Sequence, residues 1–152
     1  DRDNPHIGSF WGEVNANRHR AMGCVGTITD GCVRDVDEMT NAGFKALARH
    51  MCVGHAYSTP VRWGHEITAF GCTVRPGDFI HADKHGFMAI DDEDLPNLLA
   101  AVRFMDENEC NNLLCLSRNA AGMSKEAFIA EYALRVSQFK QDADIFFANR
   151  KK

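Results

Sequence analysis

Apolar residues up to Asp91 come in short runs broken by Gly, Asp and Pro, whereas beyond Asp91 they recur at every third or fourth position. The first half therefore reads as strands alternating with short helices, the second as helices. A first helix begins at Ser9 or Gly12, runs to about Met22 and stops at Gly23. Its apolar face, Phe10, Val14 and Ala21, is weak, and the residues before it, with Pro5 and Gly8, read as a loop. Cys24–Thr29 is a β-rich, mostly apolar run, expected as a buried parallel strand. Asp30-Gly31 is turn chemistry that should end it. Residues 35–42 form a short helix with acids at its start, which suits the helix dipole. Gly43 closes that helix, and residues 44–48 give a second strand. Helix, strand, helix, strand predicts α/β layering with parallel pairing.

Residues 51–65 show no period and read as a long loop, a usual place for functional groups. Strand material follows at 66–70 and 72–74, broken at Gly71. Arg75-Pro76-Gly77-Asp78 is a turn, and residues 79–82 and 87–90 flank Asp83-Lys84-His85-Gly86 as a β-hairpin. Leu95, Leu98, Leu99, Val102 and Met105 then fall at helical spacing, with Pro96 in the first turn. Leu113, Leu114 and Leu116 belong to a second helical piece, and residues 117–124 connect it to a last helix. That helix carries Phe128, Tyr132, Val136, Phe139, Ala143 and Phe147 on one stripe, expected to serve core or subunit packing.

Composition narrows the function classes. The 152 residues carry a net charge of −4, which disfavours a basic nucleic-acid-binding surface. No apolar run approaches the ~20 residues that span a bilayer. The six cysteines include no Cys-x-x-Cys, and most lie among apolar neighbours, so reduced, buried thiols in a cytoplasmic protein are expected, without zinc. The chain begins with Asp, and its N-terminus is read as cut.

The chemistry concentrates in residues 12–35. Glu13 and the pair Arg34-Asp35 stand in the spacing Glu-x20-Arg-Asp. One helix, a turn and one buried strand fit between them and would return both ends to one sheet edge. Two carboxylates and a guanidinium meeting there can hold a divalent metal and an anionic substrate. On residue type alone, a helix-start ion pair of little energetic value is the simpler reading of Arg34-Asp35, and a solvated first-turn acid that of Glu13.

Four motifs in order change that balance. Gly12-Glu13, the run Asp30-Gly31-Cys32-Val33-Arg34-Asp35-Val36-Asp37-Glu38, the run Thr73-Val74-Arg75-Pro76-Gly77-Asp78 and the run His81-Ala82-Asp83-Lys84-His85-Gly86 resemble the RraA-like family over roughly residues 8–91. That family includes the regulator of ribonuclease activity A and 4-hydroxy-4-methyl-2-oxoglutarate aldolases with oxaloacetate decarboxylase activity. The resemblance implies a layered α/β/α domain with a swivelling β/β/α core, assembled as homotrimers or hexamers. Residues 1–91 would be a partial RraA-like catalytic domain, and residues 92–152 a helical extension packing on it. Family members have a sizeable segment before the Gly-Glu motif and almost nothing precedes it here, which again implies a missing N-terminal part.

By the same resemblance Asp35 is the direct ligand of Mg²⁺ (or Mn²⁺), and Glu13 holds a metal-bound water. Arg34 bridges the carboxylate and keto oxygen of a small 2-oxo acid, and the backbone N–H groups of Val14 and Asn15 take its carboxylate at the helix start. Arg34 and Glu13 are the implied catalytic pair of a metal-dependent carbon–carbon lyase, with neither nucleic acid nor membrane as partner. The alternative is a non-catalytic protein-binding regulator of a ribonuclease. In that branch the acid after the arginine is typically replaced, and Asp35 is present here. A methyltransferase lacks support, because no Gly-x-Gly-x-Gly loop with a ribose-binding acid is visible. His55, Arg62 and Glu66 are candidates for the distal part of a substrate, with a surface role as the equal rival. Asp83 and His85 are expected to shape a hairpin turn.

Overall fold

The computed structural model describes residues 7–148. They are a mixed α/β structure in two compact units, divided after Asp91. In the first unit, strand β1 (Ser9–Trp11) leads into helix α1 (Glu13–Ala21), β2 (Gly26–Val33), α2 (Val36–Asn41) and β3 (Lys45–Met51). The three strands form one parallel sheet in the order β1-β2-β3, with β2 central. Two successive βαβ crossovers thus place the carboxyl ends of all three strands together.

The core lies between this sheet and both helices. Ala16 of α1, Val33 of β2, Met39 of α2 and Phe44 form its buried cluster, with Trp11, Ala46 and Ala48 packed against it. Trp11 stacks on Phe44 at 5.2 Å between ring centroids. A single small residue, Ala16, is what α1 buries, and this lets the helix sit close to the sheet despite its weak apolar face.

Sequence and structure differ at three places here. Ser9–Trp11, expected as loop and helix start, is a strand, and the helix begins at the later alternative, after Gly12. Three residues with one polar member carry too little alternation to reveal a strand; parallel pairing with Cys32 and Val33 creates it. Asp30-Gly31 does not end β2. The register with β3 slips by one between Thr29 and Cys32, a bulge in which the Gly31 N–H donates to Thr29 Oγ1 at 3.0 Å. The strand continues to Val33, and β3 extends correspondingly to Met51.

Two antiparallel hairpins complete the unit. β4 (Ile67–Ala69) and β5 (Cys72–Val74) join through Phe70-Gly71, both with positive φ (51° and 79°), the signature of a two-residue hairpin turn. β6 (Phe79–Asp83) and β7 (Gly86–Ile90) join through Lys84-His85. The β2 bulge ties the first hairpin down. Asp30 accepts from the Phe70 N–H at 3.0 Å and from Arg49 Nη2 at 2.8 Å, and the Arg49 guanidinium lies 5.2 Å from the centre of the Phe70 ring. The Arg49 hydrogen bond, helped by that of Phe70, holds the Asp30 carboxyl below the ordinary aspartate value.

In the second unit α3 (Leu95–Asn108) passes through a π-helical turn at Glu109–Leu113 into α4 (Leu114–Arg118), and α5 (Lys125–Ala148) follows. Ser124 caps α5, its hydroxyl accepting from the Ala127 N–H at 3.1 Å. Arg135 pairs with Glu131 and reaches the Asn112 carbonyl in the π turn at 3.0 Å. The α5 stripe is shifted from expectation. Phe128, Val136, Phe139 and Ala143 are half-buried, but Phe146 replaces Phe147 because it stacks on Phe104 at 4.4 Å, and Tyr132 is exposed. No residue of α5 is fully buried.

Two stability measurements test this reading. Phe44→Ala is expected to cost about 3–5 kcal/mol in urea unfolding; a loss under ~1 kcal/mol would mean the Trp11–Phe44 stack is not the centre of the core. Asp30 has a folded pKa depressed below an unfolded value of ~3.9. Its contribution is therefore complete above the unfolded value and lost as pH falls through the folded one. Asp30→Asn should lower stability near pH 6 by about 1 kcal/mol or less, since the side chain is well solvated. The difference from wild type should vanish near pH 2; one that persists there would refute the ionic origin.

Candidate active site

Arg34 and Asp35 emerge at the carboxyl end of β2, where open parallel sheets collect ligands. Asp35 has left-handed backbone (φ 52°, ψ 46°) and stands at the start of α2 without a side-chain capping bond to it. This conformation is costly for a residue other than glycine, although Asp and Asn tolerate it best. It turns the side chain back across the sheet edge, and Oδ2 accepts from the Glu13 backbone N–H at 3.1 Å. The first intrahelical bond of α1 is Ala16 N–H to the Gly12 carbonyl, at 2.9 Å. Glu13, Val14 and Asn15 therefore have no acceptor inside the helix. Gly12 offers no side-chain cap, and Asp35, 22 residues after Glu13 in sequence, caps the helix in its place.

The close approach explains the glycine. A Cβ at position 12 would stand 2.7 Å from Asp35 Oδ2 and 3.1 Å from both Cγ and Nε of Arg34. Gly12 has extended backbone (φ −163°), so space is the constraint and backbone conformation is not. Arg34 is held from several directions. Its backbone N–H donates to the Trp11 carbonyl at 3.0 Å, Nε lies 3.6 Å from Asp35 Oδ2, and Nη1 donates to the Val53 carbonyl at 3.4 Å.

An open pocket of about 450 Å³ lies at this end of the sheet, lined by Val33–Glu38 and Met51–Val53. Its lining holds one guanidinium, three carboxylates, three valines and Met51. Of the residues expected at the site, Arg34 and Asp35 line the pocket. Glu13 touches Asp35 through its main chain, and Val14 and Asn15 sit in the adjoining first turn with Val14 largely exposed. The Asn15 side chain is committed elsewhere, donating to the Phe10 carbonyl at 2.6 Å. Val53, Met51 and Cys52 were not singled out individually; they open the stretch 51–65, expected as a long loop of the kind that carries functional groups, and Met51 proves to be the end of β3.

The remaining candidates lie apart from this pocket. Glu66 pairs with Arg75 at 2.8 Å, and the His55 ring lies 6.1 Å from that of Tyr57. Asp83 shapes the β6–β7 turn, accepting from the His85 N–H at 2.7 Å and from His85 Nδ1 at 3.1 Å; these bonds, the backbone one first, lower its pKa. Among the described residues, no three His, Cys, Asp or Glu side chains cluster as a metal cage, and no cysteine is in a disulfide. Burial pushes the Cys32 thiol up. No helix among them is long and apolar enough to cross a membrane.

With this geometry in place, comparison with known proteins is informative. Residues 1–89 match the RraA-like family, described as Aldolase/RraA. The chain belongs to that family. An uncharacterized protein of Methanocaldococcus jannaschii is 30% identical over 104 residues, 66% of this chain and 49% of that protein. A Pseudomonas aeruginosa protein provisionally named 4-hydroxy-4-methyl-2-oxoglutarate aldolase is 34% identical over 83 residues, 51% of this chain and 48% of the relative. The RraA-like chain described here thus spans about half the length of these curated relatives. The solved structure of an uncharacterized protein from Pseudomonas syringae pv. tomato superposes with a TM-score of 0.65 at 22% identity, covering 81% of this chain and 61% of the other, a likeness of fold.

Gly12→Ala tests the close approach. The added methyl should displace the Asp35 carboxylate and leave the Glu13 N–H without its acceptor, at a cost of about 1–2 kcal/mol in urea unfolding. The Glu13 amide resonance should move with it; an unshifted resonance in a fully stable variant would contradict the contact.

Proposed function

We propose that this chain carries the site of a divalent-metal-dependent carbon–carbon lyase for small pyruvyl-type 2-oxo acids, of the 4-hydroxy-4-methyl-2-oxoglutarate aldolase and oxaloacetate decarboxylase kind. The carrying observation is the placement of Arg34 and Asp35 side by side at the carboxyl end of β2, with Asp35 turned onto the start of α1. The provisional aldolase name of relatives about one-third identical supports the reaction class.

The donor set fits a magnesium-type ion. Asp35 spends Oδ2 on the Glu13 N–H and on Arg34, and among the described residues Oδ1 has no hydrogen bond. One free carboxylate oxygen suits Mg²⁺ (or Mn²⁺), which keeps several waters and needs no protein cage. Asp35 would hold it directly, and Glu13, exposed at the helix start, through a water. When bound, the ion supplies a Lewis acid for the keto oxygen of the substrate.

The chain's own groups do the rest. The planar fork of Arg34 matches a carboxylate and sets the 2-oxo acid in one orientation. The N–H groups of Val14 and Asn15, which have no acceptor among the described residues, lie at the positive end of the helix dipole and favour the same carboxylate. Retro-aldol cleavage and loss of CO₂ leave the same electron pair on the pyruvyl fragment. The Arg34 guanidinium stabilises that developing charge in either case, so one site serves both reactions. A homotrimeric or hexameric assembly in the cytoplasm belongs to the same reading.

The test is pyruvate release from oxaloacetate with Mg²⁺, against metal alone and against EDTA. Turnover above the metal background should vanish with EDTA, and Arg34→Ala and Asp35→Asn should each reduce it by about 10²–10³-fold. Asparagine keeps an acceptor for the Glu13 N–H, so its loss reports the charge. Wild-type turnover in either variant would sink the assignment.

A further inference from the structure

Beyond Met51 the chain stays at the sheet. The Cys52 N–H donates to the Val33 carbonyl at 3.0 Å, at the end of β2. Two residues later the Gly54 carbonyl accepts twice from Ser9 of β1, from N–H at 2.8 Å and from Oγ at 3.1 Å. The Ala56 N–H then donates to the Ser9 carbonyl at 3.0 Å, and His55 pairs with Ser9 in a parallel bridge. Residues 52–56 therefore form a strap that starts beside β3, crosses the carboxyl end of the central strand and lands on β1. Ser9, fully buried, is its clamp.

Two glycines permit that landing. A Cβ on Gly54 would meet the Ile7 carbonyl oxygen at 2.8 Å, and one on Gly8 would meet Ala56 Cα at 2.9 Å. Both obstacles are backbone, so no rotamer relieves them. Between the anchors Val53 stands 93% exposed, and its carbonyl is the acceptor for Arg34 Nη1.

We propose that this strap, clamped by Ser9 and Gly54, is a positioning device for the Arg34 guanidinium. The inference rests on the reading of Arg34 as the carboxylate-binding cation. Among the described residues the guanidinium has two partners, Asp35 Oδ2 at 3.6 Å from Nε and the Val53 carbonyl at 3.4 Å from Nη1. Each contact is longer than an ideal hydrogen bond, so neither fixes the planar fork alone. Together they restrain two of its three nitrogens, and among the described residues Nη2 has no hydrogen bond. A carboxylate arriving from the pocket is met by the remaining donors in a preset plane. Ser9 and Gly54 touch no substrate; they act through Val53 and Arg34.

The experiment uses the full chain with Ser9→Ala, which removes only the hydroxyl bond, and Gly54→Ala, which moves the strap. Ser9→Ala keeps the test open should Gly54→Ala fail to fold. The first readout needs no ligand. Relaxation of the Arg34 Nε–Hε group by NMR should show a lower order parameter in both variants, and an unchanged one overturns the proposal. The second is the dissociation constant of pyruvate with Mg²⁺ by calorimetry, expected to weaken about threefold for Ser9→Ala and about tenfold for Gly54→Ala. In an Arg34→Ala background neither change should weaken binding further. A loss that persists there means the strap acts elsewhere and overturns the proposal. Wild-type protein that binds no pyruvate while the order parameter falls in the variants leaves the strap in place and removes the 2-oxo acid reading.

Discussion

Everything at the site depends on one hydrogen bond, from the Glu13 N–H to Asp35 Oδ2. It joins the start of the first helix to the end of the central strand. It caps a helix that has no cap of its own and fixes the carboxylate that α2 begins on. The bond requires a bare backbone at Gly12 and left-handed backbone at Asp35. A cap for α1 and a tether for the acid are thus met by the same oxygen, and among the described residues the other has no hydrogen bond.

The sheet supplies the rigidity this arrangement needs. β2 is paired on both sides, and the cluster of Ala16, Val33, Met39 and Phe44 presses both helices toward it. A side chain at the end of such a strand inherits its position from the core behind it. Arg34 and Asp35 directly follow Val33, a buried member of that core. The backbone of both residues is thus placed by the packed position before them.

Much of this was legible in the sequence. The Glu-x20-Arg-Asp spacing did enclose a helix, a turn and a strand, and its ends do meet at one sheet edge. The mixed α/β class and the β6–β7 hairpin also followed from runs and turn residues, whereas residues 66–74, read as strand material broken at Gly71, pair as a hairpin of their own. What stayed hidden was tertiary in origin. Ser9–Trp11 is a strand only because β2 pairs with it. Asp30-Gly31 reads as a stop by local chemistry, and only partners on both sides make it a bulge. The segment around Val53 has no period because its order comes from Ser9, far away in sequence. Phe146 displaced Phe147 from the apolar stripe because Phe104 is there to stack on it.

The contacts of the site also differ in how much chain each must close. Glu13 and Asp35 are 22 positions apart, Arg34 and Val53 are 19, and Ser9 and Gly54 are 45. Closing the last loop, about twice as long as the first, costs about 0.6 kcal/mol more in chain entropy. In the unfolded chain the helix–strand junction thus has the advantage in forming, and the Ser9–Gly54 clamp closes the longest stretch of the three.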